Sequence, residues 1–231
     1  MTVMIGTVAS EIASRLGLAS DTQVIAGTTD SIAAFIATGA HKPGHGVTSL
    51  GSSLVLKLVS EHNIVSTQHG VYSHRLGRLW LAGGASNSGG AVLSSFFNRE
   101  QLRDLSTQIQ PDQECSLNYY PLLRPGERFP INDAHYLPRL TPRPKTDIEF
   151  LHGLLLGIAR IEKQGYDLLH ALGAPAVQHI DSAGGGSTNL AWQRLRQKII
   201  GVPVRQAQHS DAAYGSALLA FWGHQGNHPY A

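Results

Sequence analysis

Three short segments of this 231-residue chain combine residue types that hold phosphate or activate a hydroxyl. The first is Thr28-Thr29-Asp30, between the apolar run QVIAG and the Ala-rich run SIAAFIATGA. A carboxylate in the first turn of a helix is stabilised as the anion by the helix dipole and by unpaired backbone N–H groups. Asp30 is therefore a candidate base, with an ordinary capping aspartate as the competing reading. The second is VTSLGSS, residues 47–53, a hydroxyl-rich turn between two strand-like runs. Backbone N–H groups in such a turn cradle an oxyanion, although a plain Gly/Ser hairpin has the same composition. The third is DSAGGGSTN, residues 181–189, after an apolar strand and before an amphipathic helix. Three consecutive glycines remove every Cβ, so a flat ligand or a phosphate approaches the backbone closely. Asn189 and Trp192 follow three residues apart on that helix. Trp192 is suited to stack on a base or to fill a core.

Other chemistry is poorly supported. There is no Walker A sequence and no G-x-G-x-x-G spacing. The twelve histidines form no H-E-x-x-H, and one cysteine, Cys115, makes neither an internal disulfide nor a cysteine-based zinc site, so no metal site is expected. His41 and His45 are separated by Pro43, so no helix presents them together. Ser94 and Ser95 lack a nucleophile-elbow motif. Asn87, Ser88, Gly89 and Gly90 open a helix and stand as a possible ligand border. Charged residues are 15% of the chain and the net charge is +2. With 42% hydrophobic residues, that composition excludes a disordered chain, and the scattered Lys and Arg argue against a nucleic-acid partner. No apolar run reaches a membrane span and no signal peptide is evident, so a cytoplasmic location is expected.

The periodicity predicts the elements that position these loops. Residues 2–18 read as a helix, with Ile5, Val8, Ile12 and Leu16 at helical spacing, and 23–27 as a strand. A helix follows Asp30 and closes at Gly39. Residues 46–49, 52–59, 64–67 and 79–82 read as a β-meander, and 88–97 as a helix that extends toward 107. Residues 111–147 hold seven of the eleven prolines and are expected to be an ordered excursion with edge strands. Residues 147–172 form one strong helix ended by Gly173 and Pro175. The last third reads strand 177–182, glycine loop, helix 188–200, strand 202–207 and helix 211–222.

Five motifs, in order, resemble the C-terminal half of the FGGY carbohydrate kinases, which belong to the same ATPase superfamily as actin and hexokinase. VIAGTTDSIAAFIATGA is similar to the segment that carries the family's catalytic aspartate, and GVTSLGSS to its phosphate hairpin. LAGGASNSGGAVLSSFF and YPLLRPGERFP resemble two further tracts of its second domain. DSAGGGSTNLAWQRLRQKIIGVPVRQAQHSDAAYGSALLA resembles its adenosine motif and closing helix. The nearest likeness is to cyanobacterial and plant ribulose or xylulose kinase-like members. The resemblance implies an α/β chain with the actin-like ATPase (ribonuclease H-like) fold. It implies residues 1–37 as a remnant of the first, sugar-binding domain, 38–210 as the nucleotide-binding domain, and 211–231 as a closing segment that returns to the first. It implies ATP and Mg²⁺ as cofactors and a small sugar, D-ribulose or D-xylulose, as substrate. Asp30 is then the general base on a sugar hydroxyl. Gly51 and Ser52, with Thr48 and Ser49, contact the β- and γ-phosphates. Gly185 and Gly186 lie against the adenosine, with Asn189 and Trp192 beside the base.

The family chain is about twice as long, and its first half carries an Asp-x-Gly-Thr turn and most sugar contacts. No D-x-G-[ST] occurs here. The expected alternatives are therefore a truncated nucleotide-binding module without activity, or one half of a split kinase whose partner chain supplies the rest. A Gly-rich α/β domain with no nucleotide site is the plainest reading. The helices at 31–38 and 211–222 are expected to expose an apolar patch.

Overall fold

A computed structural model of the chain describes residues 3–226 and 229–230. The first elements are β1 (Met4–Thr7), α1 (Ser10–Leu16), β2 (Gln23–Ile25) and α2 (Asp30–Ala37). Strands β3 (His45–Leu50), β4 (Leu54–Ser60), β5 (Tyr72–Leu76) and β6 (Leu79–Ser86) follow. Helices α3 (Gly90–Phe96), α4 (Arg99–Gln108) and α5 (Asp147–Ala171) come next, and then β7 (His179–Ala183), α6 (Leu190–Ile200), β8 (Val204–Gln206) and α7 (Ala212–Gln225). The chain divides into two compact units. One comprises Met1–His41, Leu76–Arg78 and Gln208–Ala231, the other Lys42–Arg75 and Leu79–Ala207. The expected divisions at 37/38 and 210/211 stand beside these observed ones. The expected closing segment 211–231 includes 227, 228 and 231, which lie outside the described residues.

The larger unit is built on a six-stranded sheet of order β5-β6-β4-β3-β7-β8. Strands β3, β4 and β6 pair antiparallel, whereas β7 runs parallel to both β3 and β8. Strand β4 reads LVLKLVS and is buried at nearly every position, as befits a strand covered on both faces. Helix α5 covers it. Its N-cap Thr146 accepts from the Glu149 N–H, and Gly173 (φ +101°) ends it. Leu151, Leu154, Leu155, Ile158 and Leus of β4 are completely buried there.

The Pro-rich stretch is ordered, but its expected edge strands do not form. Only isolated bridges, Tyr120 with Arg139 and Glu127 with Asp133, interrupt irregular backbone. Proline lacks the N–H that a ladder requires. The stretch is held instead by its aromatic residues. Phe129 is fully buried between Gly84 of β6 and Gly165 of α5. A Cβ would lie 2.3 Å from its ring at Gly84 and 2.7 Å at Gly165, so both positions must be bare.

Three further expectations are corrected. The helix read over 2–18 is a strand and a short helix, β1 and α1. Thr7 and Val8 are poor helix formers, and β1 finds an antiparallel partner in β2. Residue 2 lies outside the described residues. Residues 64–67 are not a strand: Ser66 bridges Val71 around a 3₁₀ turn at Thr67–His69, and β5 is the paired strand. The helix begun near 88 stops at Phe96, because Asn98 and Gln101 form a reciprocal capping box that starts α4.

In the smaller unit α2 and α7 meet at backbone contact. A Cβ on Gly215 would sit 1.8 Å from the Ala33 carbonyl oxygen. Ile32, Ala33, Phe35 and Ile36 are buried, so α2 does not form the expected exposed patch. Helix α7, the other expected helix, does expose Phe221 (54%) and Tyr214 (40%), and further exposed apolar residues of this unit, Ile5 (70%) and Leu16 (61%), lie outside both helices.

Candidate functional site

The β3–β4 hairpin closes at Leu50 and Leu54, leaving Gly51, Ser52 and Ser53 as its tip. Its carbonyls are already committed. Gly90 N–H donates to Gly51 O at 2.8 Å and Ala91 N–H to Ser52 O at 3.1 Å, so the first turn of α3 clamps the tip. Leu54 N–H donates to Ser88 O at 2.7 Å. Among the described residues, the N–H groups of Gly51, Ser52 and Ser53 donate to no backbone or side-chain acceptor. They are the groups an anion would meet.

The glycine loop lies beside this tip. Gly184 takes φ +78°, and a Cβ there would lie 2.9 Å from the Leu50 carbonyl carbon and 3.2 Å from Gly51 N. At Gly186 a Cβ would meet the Trp192 ring at 2.6 Å and Leu50 Cβ at 2.9 Å, whereas at Gly185 it would meet nothing within 4 Å. The two loops border one cleft of about 1450 Å³, lined by Gly51, Ser52, Gly185, Gly186, Asn189 and Trp192 among others. It is lined as well by Ser94, Ser95, Leu102 and Ser106 of α3 and α4 and by Arg99, Arg103 and Arg194. The segment NSGG at 87–90, read from sequence as a possible ligand border, belongs to the clamp on the hairpin, with Gly90 at the cleft.

The sequence candidates separate in space. Gly51, Ser52, Gly185, Gly186, Asn189 and Trp192 come together. Asn189 caps α6 through its Oδ1, which accepts from Trp192 N–H at 3.0 Å, while its Nδ2 donates to Ser106 Oγ at 2.8 Å. Trp192 is 2% exposed and supports the glycine loop from beneath. Thr48 and Ser49 stand on β3 rather than at the tip. Thr48 is fully buried, and its hydroxyl donates to Glu162 Oε1 at 2.6 Å, so that side chain is turned into the core. Asp30 belongs to the smaller unit. It is the exposed first residue of α2, and its Oδ1 accepts from the Ser31 N–H at 2.6 Å. The N-cap Thr29 makes no side-chain capping bond. Asp181 is committed to Arg205, whose Nε lies 2.5 Å away. That bond holds the guanidinium above its ordinary range.

Two buried carboxylates went unread in the sequence. Glu162 of α5 is completely buried and takes a bidentate pair from Arg196 of α6, Nε to Oε2 at 2.6 Å and Nη2 to Oε1 at 2.7 Å. Arg196 Nη1 also donates to Ser182 Oγ of β7 at 2.7 Å. Thr48, Glu162, Arg196 and Ser182 thus join the hairpin strand, two helices and the strand that leads to the glycine loop. Burial and the Glu162 charge push the neighbouring Tyr166 phenol well above its ordinary range. The sequence signal was a Glu within the apolar face of the helix. Glu127, in RPGERFP, is the second, and its only sequence mark was a lone acid in a proline tract.

Among the described residues, no group of three or more His, Cys, Asp or Glu side chains is placed to hold a metal ion. No helix among them is long and apolar enough to cross a membrane.

A sequence profile of the FGGY family of carbohydrate kinases, C-terminal domain, matches residues 46–224. Curated relatives include the xylulose kinase of Staphylococcus epidermidis RP62A, 25% identical over 231 residues, covering 95% of this chain and 46% of the relative. Another is the xylulose kinase of Escherichia coli K12, 26% identical over 228 residues, covering 93% and 46%. The chain therefore spans about half the length of the curated relatives it matches. Among solved structures, a xylulose kinase from Brucella ovis superposes with TM-score 0.86 at 24% identity, over 99% of this chain and 49% of the other. A gluconate kinase from Lactobacillus acidophilus gives 0.81 at 20% identity, over 98% and 48%.

Proposed function

Since the chain belongs to the FGGY family of carbohydrate kinases and shares their actin-like ATPase fold, we propose that it forms the ATP-binding half of a kinase that phosphorylates a sugar hydroxyl. The observation that carries this is the apposition of the glycine loop and the β3–β4 tip in one cleft, with the tip's carbonyls held and its N–H groups turned to no protein acceptor. Phosphoryl transfer passes through a loose transition state, so the protein chiefly positions groups and stabilises charge. The N–H groups of Gly51 and Ser52 would hold the terminal phosphates as neutral donors. Gly185 and Gly186 would take the adenosine, with Asn189 and Trp192 fixing the loop's shape.

Asp30 is the base of this reading. As the sugar oxygen bonds to the γ-phosphorus, its proton passes to the Asp30 carboxylate and ADP leaves. Magnesium is held mainly by substrate phosphates, water and one or two carboxylates. It would arrive with the nucleotide. Xylulose is the favoured sugar because the curated relatives named above are xylulose kinases; ribulose is the second. The remaining sugar contacts fall to polypeptide beyond these 231 residues, in the same chain or a separate one.

Calorimetric titration with Mg-ADP is the test. One-site binding supports the reading, and a folded chain that binds no nucleotide removes it. Turnover with xylulose, by the chain alone or supplied with an N-terminal half, is expected to vanish in Asp30→Asn. Binding without turnover in either setting favours a nucleotide-binding module instead.

A further inference from the structure

The carboxylate of Glu127 is 2% exposed, and among the described residues it has no cation within ion-pair distance. An anion buried in that way is costly unless hydrogen bonds replace its water. Here five do. Oε2 accepts from Ser86 Oγ at 2.6 Å and from the Tyr120 hydroxyl at 2.9 Å, and Oε1 accepts from Asn87 N–H at 2.7 Å, Arg128 N–H at 2.8 Å and, more weakly, Phe129 N–H at 3.4 Å. Asn87 Nδ2 adds a bond to Gly126 O at 3.0 Å.

The groups it holds lead directly to the hairpin. Ser86 Oγ, while donating to Glu127, accepts from Ser88 N–H at 2.9 Å. Ser88 O receives Leu54 N–H, and the amides two and three residues on, Gly90 and Ala91, donate to the tip carbonyls of Gly51 and Ser52. Glu127 is itself fixed, since Phe129, two residues on, is wedged against Gly84 and Gly165. A rigid tract from the middle of the chain therefore sets the strip 86–91, and that strip sets the tip.

We propose that Glu127 is a positioning residue for nucleotide phosphate, acting through Ser86 and the 86–91 strip on the N–H groups of the β3–β4 tip. The proposal rests on the nucleotide reading of the cleft. It touches no substrate atom itself. Removing it leaves the glycine loop in place and loosens the tip, so it distinguishes a ligand with phosphates from one without.

The experiment compares the chain with its Glu127→Ala, Ser86→Ala and Glu127→Gln variants. Ser86→Ala keeps four of the five donors on the carboxylate and guards against a misfolded Glu127→Ala. Two quantities are read: amide exchange at Gly90 and Ala91 without ligand, and affinity for Mg-ADP against adenosine. The expected result is about tenfold faster exchange and about tenfold weaker ADP binding in the Ala variants, roughly 1.4 kcal/mol. Adenosine affinity stays unchanged, and Glu127→Gln, which keeps an acceptor and the side-chain shape, recovers ADP binding. Unchanged exchange at Gly90 and Ala91 overturns the proposal whatever the ligands do. An equal loss for ADP and adenosine overturns it as well, because that is general destabilisation. A wild-type chain that binds neither ligand refutes the nucleotide reading itself, and with it the site Glu127 would serve.

Discussion

Gly185 and Gly186 are adjacent in sequence and opposite in tolerance. A Cβ at Gly185 enters open space, whereas one at Gly186 collides with Trp192 and Leu50. Gly185→Asp is expected to leave thermal stability unchanged and to weaken Mg-ADP by tenfold or more, about 1.4 kcal/mol, by facing phosphates with a carboxylate. Gly186→Ala is expected to cost about 1–3 kcal/mol of stability through overpacking. Calorimetry and thermal melts of the two variants separate these effects. Single residues also show where reading the sequence stops. The three glycines announced a loop without side chains, but nothing in their letters told which of them faces the cleft. Thr48 lay within the hydroxyl-rich turn motif, yet strand alternation turns its side chain inward to Glu162. His152 of α5 is buried, and its Nε2 has no partner among the described residues. Burial, then Lys198 and Arg160, hold its imidazole below the ordinary 6.5. The unfolded chain takes up this proton first on acidification, so the associated stability is complete above about pH 6.5 and falls as pH drops toward the folded value. Melts across that interval are expected to show a shallower acid decline in His152→Leu.

At the level of elements, α5 and α6 are joined through Glu162 and Arg196, both essentially inaccessible to solvent. Arg196→Met strands a buried carboxylate and is expected to cost about 3–5 kcal/mol, most of which returns in the double variant Glu162→Leu/Arg196→Met. Urea unfolding of the two single variants and the double variant checks this; a double variant no better than Arg196→Met contradicts it. The helices with long, regular patterns, α5 and α6, were legible from spacing alone, as were β3, β4 and β6. The elements misread were those whose identity depends on distant partners. β1 is a strand because β2 is available to it, and its exposed Ile5 only imitated a helical stripe. The break between α3 and α4 was written in the letters NREQ as a capping box, a signal masked by the apolar run ahead of it. Residues 111–147 carried no period at all, and their order comes from single buried side chains, among them Tyr119, Tyr120, Glu127 and Phe129.

For the molecule as a whole, the family was legible because five motifs fall in sequence order, whereas no motif in these residues singled out a sugar. The smaller unit exposes Val3, Met4, Ile5, Leu16, Leu18 and Val24. Large exposed apolar patches mark an interface or an aggregation hazard, and these six side chains are the candidates for one. The 231-residue chain is expected to bind a hydrophobic dye and to sediment with concentration dependence, and an N-terminal half added in trans is expected to suppress both. A monodisperse chain that ignores the dye contradicts this.

The smaller unit is assembled mainly from segments before residue 42 and after residue 207, with Leu76–Arg78 between them, so most of the larger one is inserted within it. During synthesis the ribosome emits α2 before the inserted unit, and α7, whose Gly215 meets Ala33, after it. At about 5–20 residues per second, α2 waits many seconds for its mate while the inserted unit acquires everything it needs. The nascent chain thus releases the residues of the candidate cleft before it completes the unit that bears Asp30, and a chaperone that shields apolar helices would find its task at α2 rather than within the inserted unit.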